Sequence, residues 1–130
     1  MVQRGTRPVL EDSFIADEAI TQYAAVLYTS TEGHVSAPAA AKDDSVAGIA
    51  QEAATTSGDV IRIMQIGKSK VIAGASASIG DQLAIHDIVG RVSRPTAFVS
   101  GDGYVGYYEE APTASGDIVT AFVNVRDIIR

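Results

Sequence analysis

Side chains that branch at Cβ set the strongest limit on what this chain can fold into. Val and Ile together account for 27 of the 130 residues, against 3 Leu and 2 Met. A branched Cβ loses χ1 freedom against a preceding helical turn but suits the pleated surface of a sheet; helical cores lean on Leu and Met. The 12 Gly and 20 Ala add tight turns and a small-residue interior. A chain of 130 residues suits one core. The expectation is a single, small all-β domain.

Charge and cysteine content narrow the function classes. Ten Lys+Arg stand against 16 Asp+Glu, a net charge of −6, which repels phosphate backbones and argues against a nucleic-acid partner. The absence of Cys removes disulfides, thiol catalysis and Cys-based zinc sites, and leaves the redox compartment unread. Two His, His34 and His86, are too few for a His-rich metal centre, so no cofactor or metal is expected. The longest apolar run, Tyr23 to Tyr28, is six residues, whereas a bilayer span needs about 20. Arg4 and Arg7 run into Glu11 and Asp12 without an apolar leader. No membrane partner or export segment is therefore expected.

The chain divides into an extended N-terminal arm, residues 1–12, read either as a frayed terminus or as a segment that orders on a partner, and a β-barrel body, residues 13–130. Residues 1–10 carry Arg4 and Arg7 and no acid, a charge of +2, which leaves −8 on residues 11–130. Gly5 and Pro8 disfavour a helix there. Beyond Phe14, short apolar runs alternate with turn signals. Strands are expected at Ala24–Thr29, His34–Ala37, Val46–Ala53, Asp59–Ile66, Lys70–Ala73, Gln82–Ile85, Val89–Ser93, Tyr104–Glu110 and Asp117–Val125. One helical turn is expected at Pro38–Asp44.

Gly-Asp recurs at Gly58-Asp59, Gly80-Asp81, Gly101-Asp102 and Gly116-Asp117. Glycine supplies positive φ and Asp bonds nearby backbone N–H groups, so these read as turns, and no calcium-loop spacing accompanies them. Two of them belong to an internal repeat. VAGIAQEAATTSGD (46–59) aligns without gaps on YVGYYEEAPTASGD (104–117), with seven of fourteen columns identical. The identities are Gly48/Gly106, Glu52/Glu110, Ala53/Ala111, Thr55/Thr113, Ser57/Ser115, Gly58/Gly116 and Asp59/Asp117. Alternation persists through Ile61/Val119 and Ile63/Ala121 and breaks at Gln65/Val123, where a bulge is expected. A strand–turn–strand unit used twice in so short a chain points to a compact barrel or sandwich that pairs its own edges.

Catalytic motifs are absent. Gly67-Lys68-Ser69 resembles the end of a phosphate loop, but Arg62 occupies the first glycine position and a strand follows, so it reads as a hairpin turn with a solvated lysine. His86 and Asp87, adjacent on a strand, point to opposite faces, as do Glu109 and Glu110. Gly74-Ala75-Ser76-Ala77-Ser78 lacks the last glycine of a nucleophile elbow. The chain is not expected to be an enzyme. The cluster Tyr104, Tyr107 and Tyr108, with Phe98, is a candidate subunit interface, although core packing accounts for it equally well.

The runs Ile20-Thr21-Gln22-Tyr23 and Val26-Leu27-Tyr28, then Gly33-His34-Val35-Ser36-Ala37-Pro38, Val46-Ala47-Gly48-Ile49-Ala50 and Ser57-Gly58-Asp59-Val60-Ile61-Arg62-Ile63, resemble the capsid decoration (cement) family of tailed bacteriophages. The likeness spans residues 14–125. It implies a β-barrel or β-tulip fold and a homotrimer on the outer capsid surface, made in the host cytoplasm. It also implies that the arm binds the major capsid protein. The contact residues would be Val2, Gln3, Arg4, Thr6, Arg7, Pro8, Val9 and Leu10. Such a protein decorates and stabilises the shell. The alternative is a carbohydrate- or host-binding module on a virion or cell surface.

Overall fold

A computed structural model describes residues 7–42, 45–98 and 102–127. Every regular element among them is a strand: β1 (Arg7–Ala16), β2 (Ala25–Tyr28), β3 (His34–Ser36), β4 (Val46–Ala50), β5 (Val60–Ile72), β6 (Gln82–Ile85), β7 (Val92–Ser93), β8 (Gly103–Tyr108) and β9 (Ile118–Asp127). The strands pair in the order β1-β3-β2-β4-β5-β9-β8-β6-β7, and β1 also pairs with β5. Strands β1, β3, β2, β4 and β5 therefore close into a five-stranded barrel. Strands β9, β8, β6 and β7 continue from the far half of β5, and a parallel bridge from Ala73 to Val92 closes a second ring. The expected small all-β barrel is the observed fold.

The repeat visible in two hairpins extends through the whole fold. Ala16 pairs with Val35 in the parallel seam of the first ring, and Ala73 pairs with Val92, each 57 residues on, in the second. Phe14↔Ile61 and Ile15↔Val60 between β1 and β5 recur as Val71↔Val119 and Ile72↔Ile118 between β5 and β9. β5 is thus the last strand of one repeat and the first of the next. That double duty explains its length of 13 residues.

A barrel of so few strands has a narrow lumen, which small side chains must fill. Ala16, Ala24, Ala47, Ala50 and Ala54 line the first ring beside Ile20, Val26, Val35, Ile61 and Ile63, all buried. The second ring encloses Val71, Leu83, Val92, Val105, Tyr108, Val119 and Ala121. Equivalent positions trade volume: the cross-strand pair Ala50–Ile63 of the first ring becomes Tyr108–Ala121 in the second. The second cluster also includes Ala25, Val46, Ile49 and Met64 from the outside of the first ring, and β4 lies against β8 and β9. The two rings therefore pack side by side as one body.

Three expectations are corrected. Asp59–Ile66 and Lys70–Ala73 are not separate strands joined by a turn at Gly67-Lys68-Ser69, because β5 passes straight through from one ring into the other. Gly67, at φ +138°, pairs with Pro8 on one edge and Val123 on the opposite edge, a backbone setting that glycine tolerates best. No helical turn forms over the described part of Pro38–Asp44, where Lys42 adopts a left-handed φ of +58°. The body begins earlier than residue 13: Arg7–Asp12 of the expected arm are the first half of β1 and pair with β5 from Arg7↔Lys68 to Asp12↔Ile63. The expected bulge is present, since β1 advances from Leu10 to Glu11 while its partners on β5 step from Ile66 to Met64, skipping Gln65.

Candidate functional site

The residues identical between the repeats mostly do backbone work. A Cβ on Gly48 would lie 2.2 Å from the Met64 carbonyl oxygen, and one on Gly106 would lie 2.0 Å from that of Phe122. Close approach of two strands demands glycine at both places. Glu52 Oε1 accepts the Arg62 backbone N–H at 3.0 Å, and Glu110 Oε1 accepts that of Thr120 at 3.1 Å. Asp59 Oδ2 accepts the N–H groups of Thr55 (2.8 Å) and Thr56 (3.2 Å); Asp117 Oδ2 accepts those of Thr113 (2.9 Å) and Ala114 (3.1 Å). These backbone hydrogen bonds, Thr55 and Thr113 foremost, hold both carboxyls below the usual aspartate range. Asp81 closes a third turn on the Ser78 N–H at 2.9 Å. Three of the four Gly-Asp pairs are turns as expected; Gly101 of the remaining pair lies outside the described residues, and Asp102 forms an ion pair with Lys42 at 3.3 Å.

The polar side chains weighed as catalysts are engaged separately. His34 Nδ1 lies 2.5 Å from Asp17 Oδ1 across the seam of the first ring. His86 Nδ1 lies 2.9 Å from Ser93 Oγ, while Asp87 is held by Arg91, whose Nε donates to Oδ2 at 2.6 Å. Lys68 is not freely solvated: its Nζ is 3.2 Å from Glu109 Oε1, close enough for an ion pair but not aligned as a hydrogen bond. Among the described residues no group of three or more His, Cys, Asp or Glu could hold a metal ion, and no helix is long and apolar enough to cross a membrane.

The four aromatic residues expected at a subunit interface fall in different places. Tyr108 is completely buried inside the second ring, its hydroxyl donating to the Val92 carbonyl at 3.1 Å. Burial, with Asp81 nearby, pushes its phenol up to about 12. Its own chain covers it, so it is a core residue and offers no surface to a partner. Tyr104 is also buried, 5.9 Å from the half-buried ring of Phe98. Tyr107 is 38% exposed and stacks on Phe122 with centroids 5.6 Å apart. Phe122 was not among the expected interface residues, although alternation along β9 places it outward beside Tyr107 once Val119 and Ala121 face inward.

Of the expected capsid-contact residues, Val2, Gln3, Arg4 and Thr6 lie outside the described residues. Arg7, Pro8, Val9 and Leu10 open β1, where Val9 is 72% and Leu10 49% exposed. Two large apolar side chains thus stand in solvent on the first strand, where the chain enters the body.

No family model matches the chain, and no curated protein matches it. Among solved structures it is similar to the head fiber gp8.5 N base of bacteriophage phi29, with a TM-score of 0.66 and 19% sequence identity. The alignment covers 88% of this chain and 93% of that one. At that identity the likeness is one of fold.

Proposed function

We propose that this chain is a structural protein of a tailed-bacteriophage head. In this reading it is made in the host cytoplasm, joins the outer capsid surface as a homotrimer, binds the major capsid protein and stabilises the shell. The observation that carries the reading is the shared fold with a head fiber base, matched over 93% of that base. The second support is the strand β1, which exposes Val9 and Leu10 and follows in sequence on Arg4 and Arg7, while residues 11–130 carry a net charge of −8.

The mechanism follows from linkage. An extended segment that adds a strand to a capsid edge gains main-chain hydrogen bonds for affinity and alternate side chains for register. Ordering it costs about 1–2 kcal/mol per residue, so one arm binds weakly. Three arms on one trimer recover ~10²–10⁴ in avidity through effective concentration. A ligand that binds only the assembled lattice stabilises that lattice by mass action. Arg4 and Arg7 supply steering toward an acidic patch, which salt screens.

The test is to mix purified protein with undecorated heads and image them by electron cryo-microscopy, with full-length chain and with a chain lacking residues 1–6. That truncation leaves all of β1 in place, and circular dichroism checks that the fold is kept. Density on the shell with the full chain and its loss with the truncated one are the expected results. Binding that survives truncation unchanged refutes the arm mechanism, and absence of density in both refutes the capsid role.

A further inference from the structure

The internal repeat says which outer surfaces of this fold are built to be covered. In the first repeat a ladder of directly paired residues crosses three strands: Ala25 on β2, Ile49 on β4 and Met64 on β5. All three are fully buried, because the second ring packs over them. The same ladder exists in the second repeat as Gln82 on β6, Tyr107 on β8 and Phe122 on β9. Among the described residues no further ring follows to cover it: Gln82 is exposed, Tyr107 is 38% exposed, and Phe122 is half-buried. This outward ladder carries two stacked aromatic rings, flanked on β5 by Lys68, which is ion-paired with Glu109.

The other side of the junction has an unused counterpart as well. The second ring meets the first through Gly90, whose carbonyl accepts the Ala25 N–H at 2.9 Å and whose Cβ position is filled by Ala24 and Ala25, and through buried Ile85. The equivalents 57 residues earlier are Gly33, with nothing within 4 Å of its Cβ position, and Tyr28, 45% exposed and edge-on to Phe14. Each half of the junction inside the chain therefore has one uncovered counterpart among the described residues.

We infer that the chain self-associates head to tail, the Tyr107–Phe122 face of one copy docking against the Tyr28 face of the next. The occupant is a second copy because the surface that covers the equivalent ladder is a ring of this same fold. Ile66, Gly67 and Lys68 of β5 pair with β1 on one edge and β9 on the other, joining the repeats through one strand, whereas a separate copy meets this face through side chains. The contact is heterologous, one patch on a different patch, which generates closed rings or open filaments and not a two-fold dimer. The inference rests on the repeat, and not on the proposed capsid role.

Sedimentation equilibrium of the full chain tests it without any capsid. The expected species is a multiple of 13.5 kDa. Tyr107→Asp and Tyr28→Asp are each expected to abolish assembly. Mixed in equal amounts, they are expected to form a 1:1 dimer and nothing larger, because only one good junction remains. The dimer also proves both variants folded. Should Tyr107→Asp fail to fold by circular dichroism, Gln82→Arg at the exposed end of the same ladder replaces it. A monomeric wild type, a Tyr28→Asp chain with the wild-type mass, or folded variants that do not dimerise on mixing would each overturn the inference.

Discussion

The pair Tyr108–Ala121 offers a direct test of how the two rings share one fold with different fillings. Its counterpart is Ala50–Ile63, so the large member sits on opposite strands in the two repeats. Tyr108→Ala removes a fully buried ring together with the hydrogen bond to the Val92 carbonyl. Loss of a buried aromatic ring costs about 3–5 kcal/mol through transfer and cavity terms. The lost hydrogen bond adds about 1 kcal/mol. Ala121→Ile alone inserts methylenes beside the intact tyrosine and costs about 1–3 kcal/mol by overpacking. The double variant recreates the filling of the first ring, so the introduced isoleucine side chain enters the cavity left by the tyrosine. The double variant should be more stable than Tyr108→Ala alone, with a coupling of about 1–3 kcal/mol relative to additivity. Urea melts of the four proteins measure it. Additive losses, with no coupling between the two sites, would refute volume exchange as the basis of the two cores.

Further outcomes follow from the same contacts. Gly48→Ala and Gly106→Ala each force a Cβ against a carbonyl oxygen, at 2.2 Å and 2.0 Å, and should lower stability by about 1–3 kcal/mol in thermal melts. Asp59 and Asp117 have carboxyls depressed below the usual 3.8, so their contribution is full above that pH and is lost as pH falls below it. Asp59→Asn with Asp117→Asn should therefore flatten the acid limb of a stability-against-pH curve; an unchanged limb would remove the two turns from that role. Binding to undecorated heads should weaken as salt rises, and Arg4→Ala with Arg7→Ala should reduce that dependence in a pelleting assay.

Much of the fold was legible in the residues, and the illegible part has a physical cause. The excess of Val and Ile over Leu announced strands, and Gly48, Glu52, Thr55 and Asp59 announced the hairpin used twice. Those positions repeat by identity because each performs a backbone task few other side chains can: close approach, acceptance of a strand N–H, closure of a turn. Elsewhere the repeats need only volume and apolarity. Between residues 7–37 and their equivalents 57 positions on, just five identities survive: Ile15/Ile72, Ala16/Ala73, Gly33/Gly90, Val35/Val92 and Ser36/Ser93. The tandem nature of the whole chain was hidden for that reason. Gly67-Lys68-Ser69 misled because small and polar residues mark turns in isolated hairpins, whereas here they lie where β5 is flanked on both edges. The aromatic cluster was legible as a cluster but not as two populations, since inward Tyr108 and outward Tyr107 differ by a single step along β8.

Strand β5 also dictates how the molecule comes apart. Neither ring can open along that ribbon without stripping hydrogen bonds from its neighbour, so heating should yield one sharp transition instead of two. A tug on the leading segment loads β1 in shear against β5, and the strain passes through that continuous backbone into the distal ring. A grip at one end is in this way reinforced by everything packed at the other.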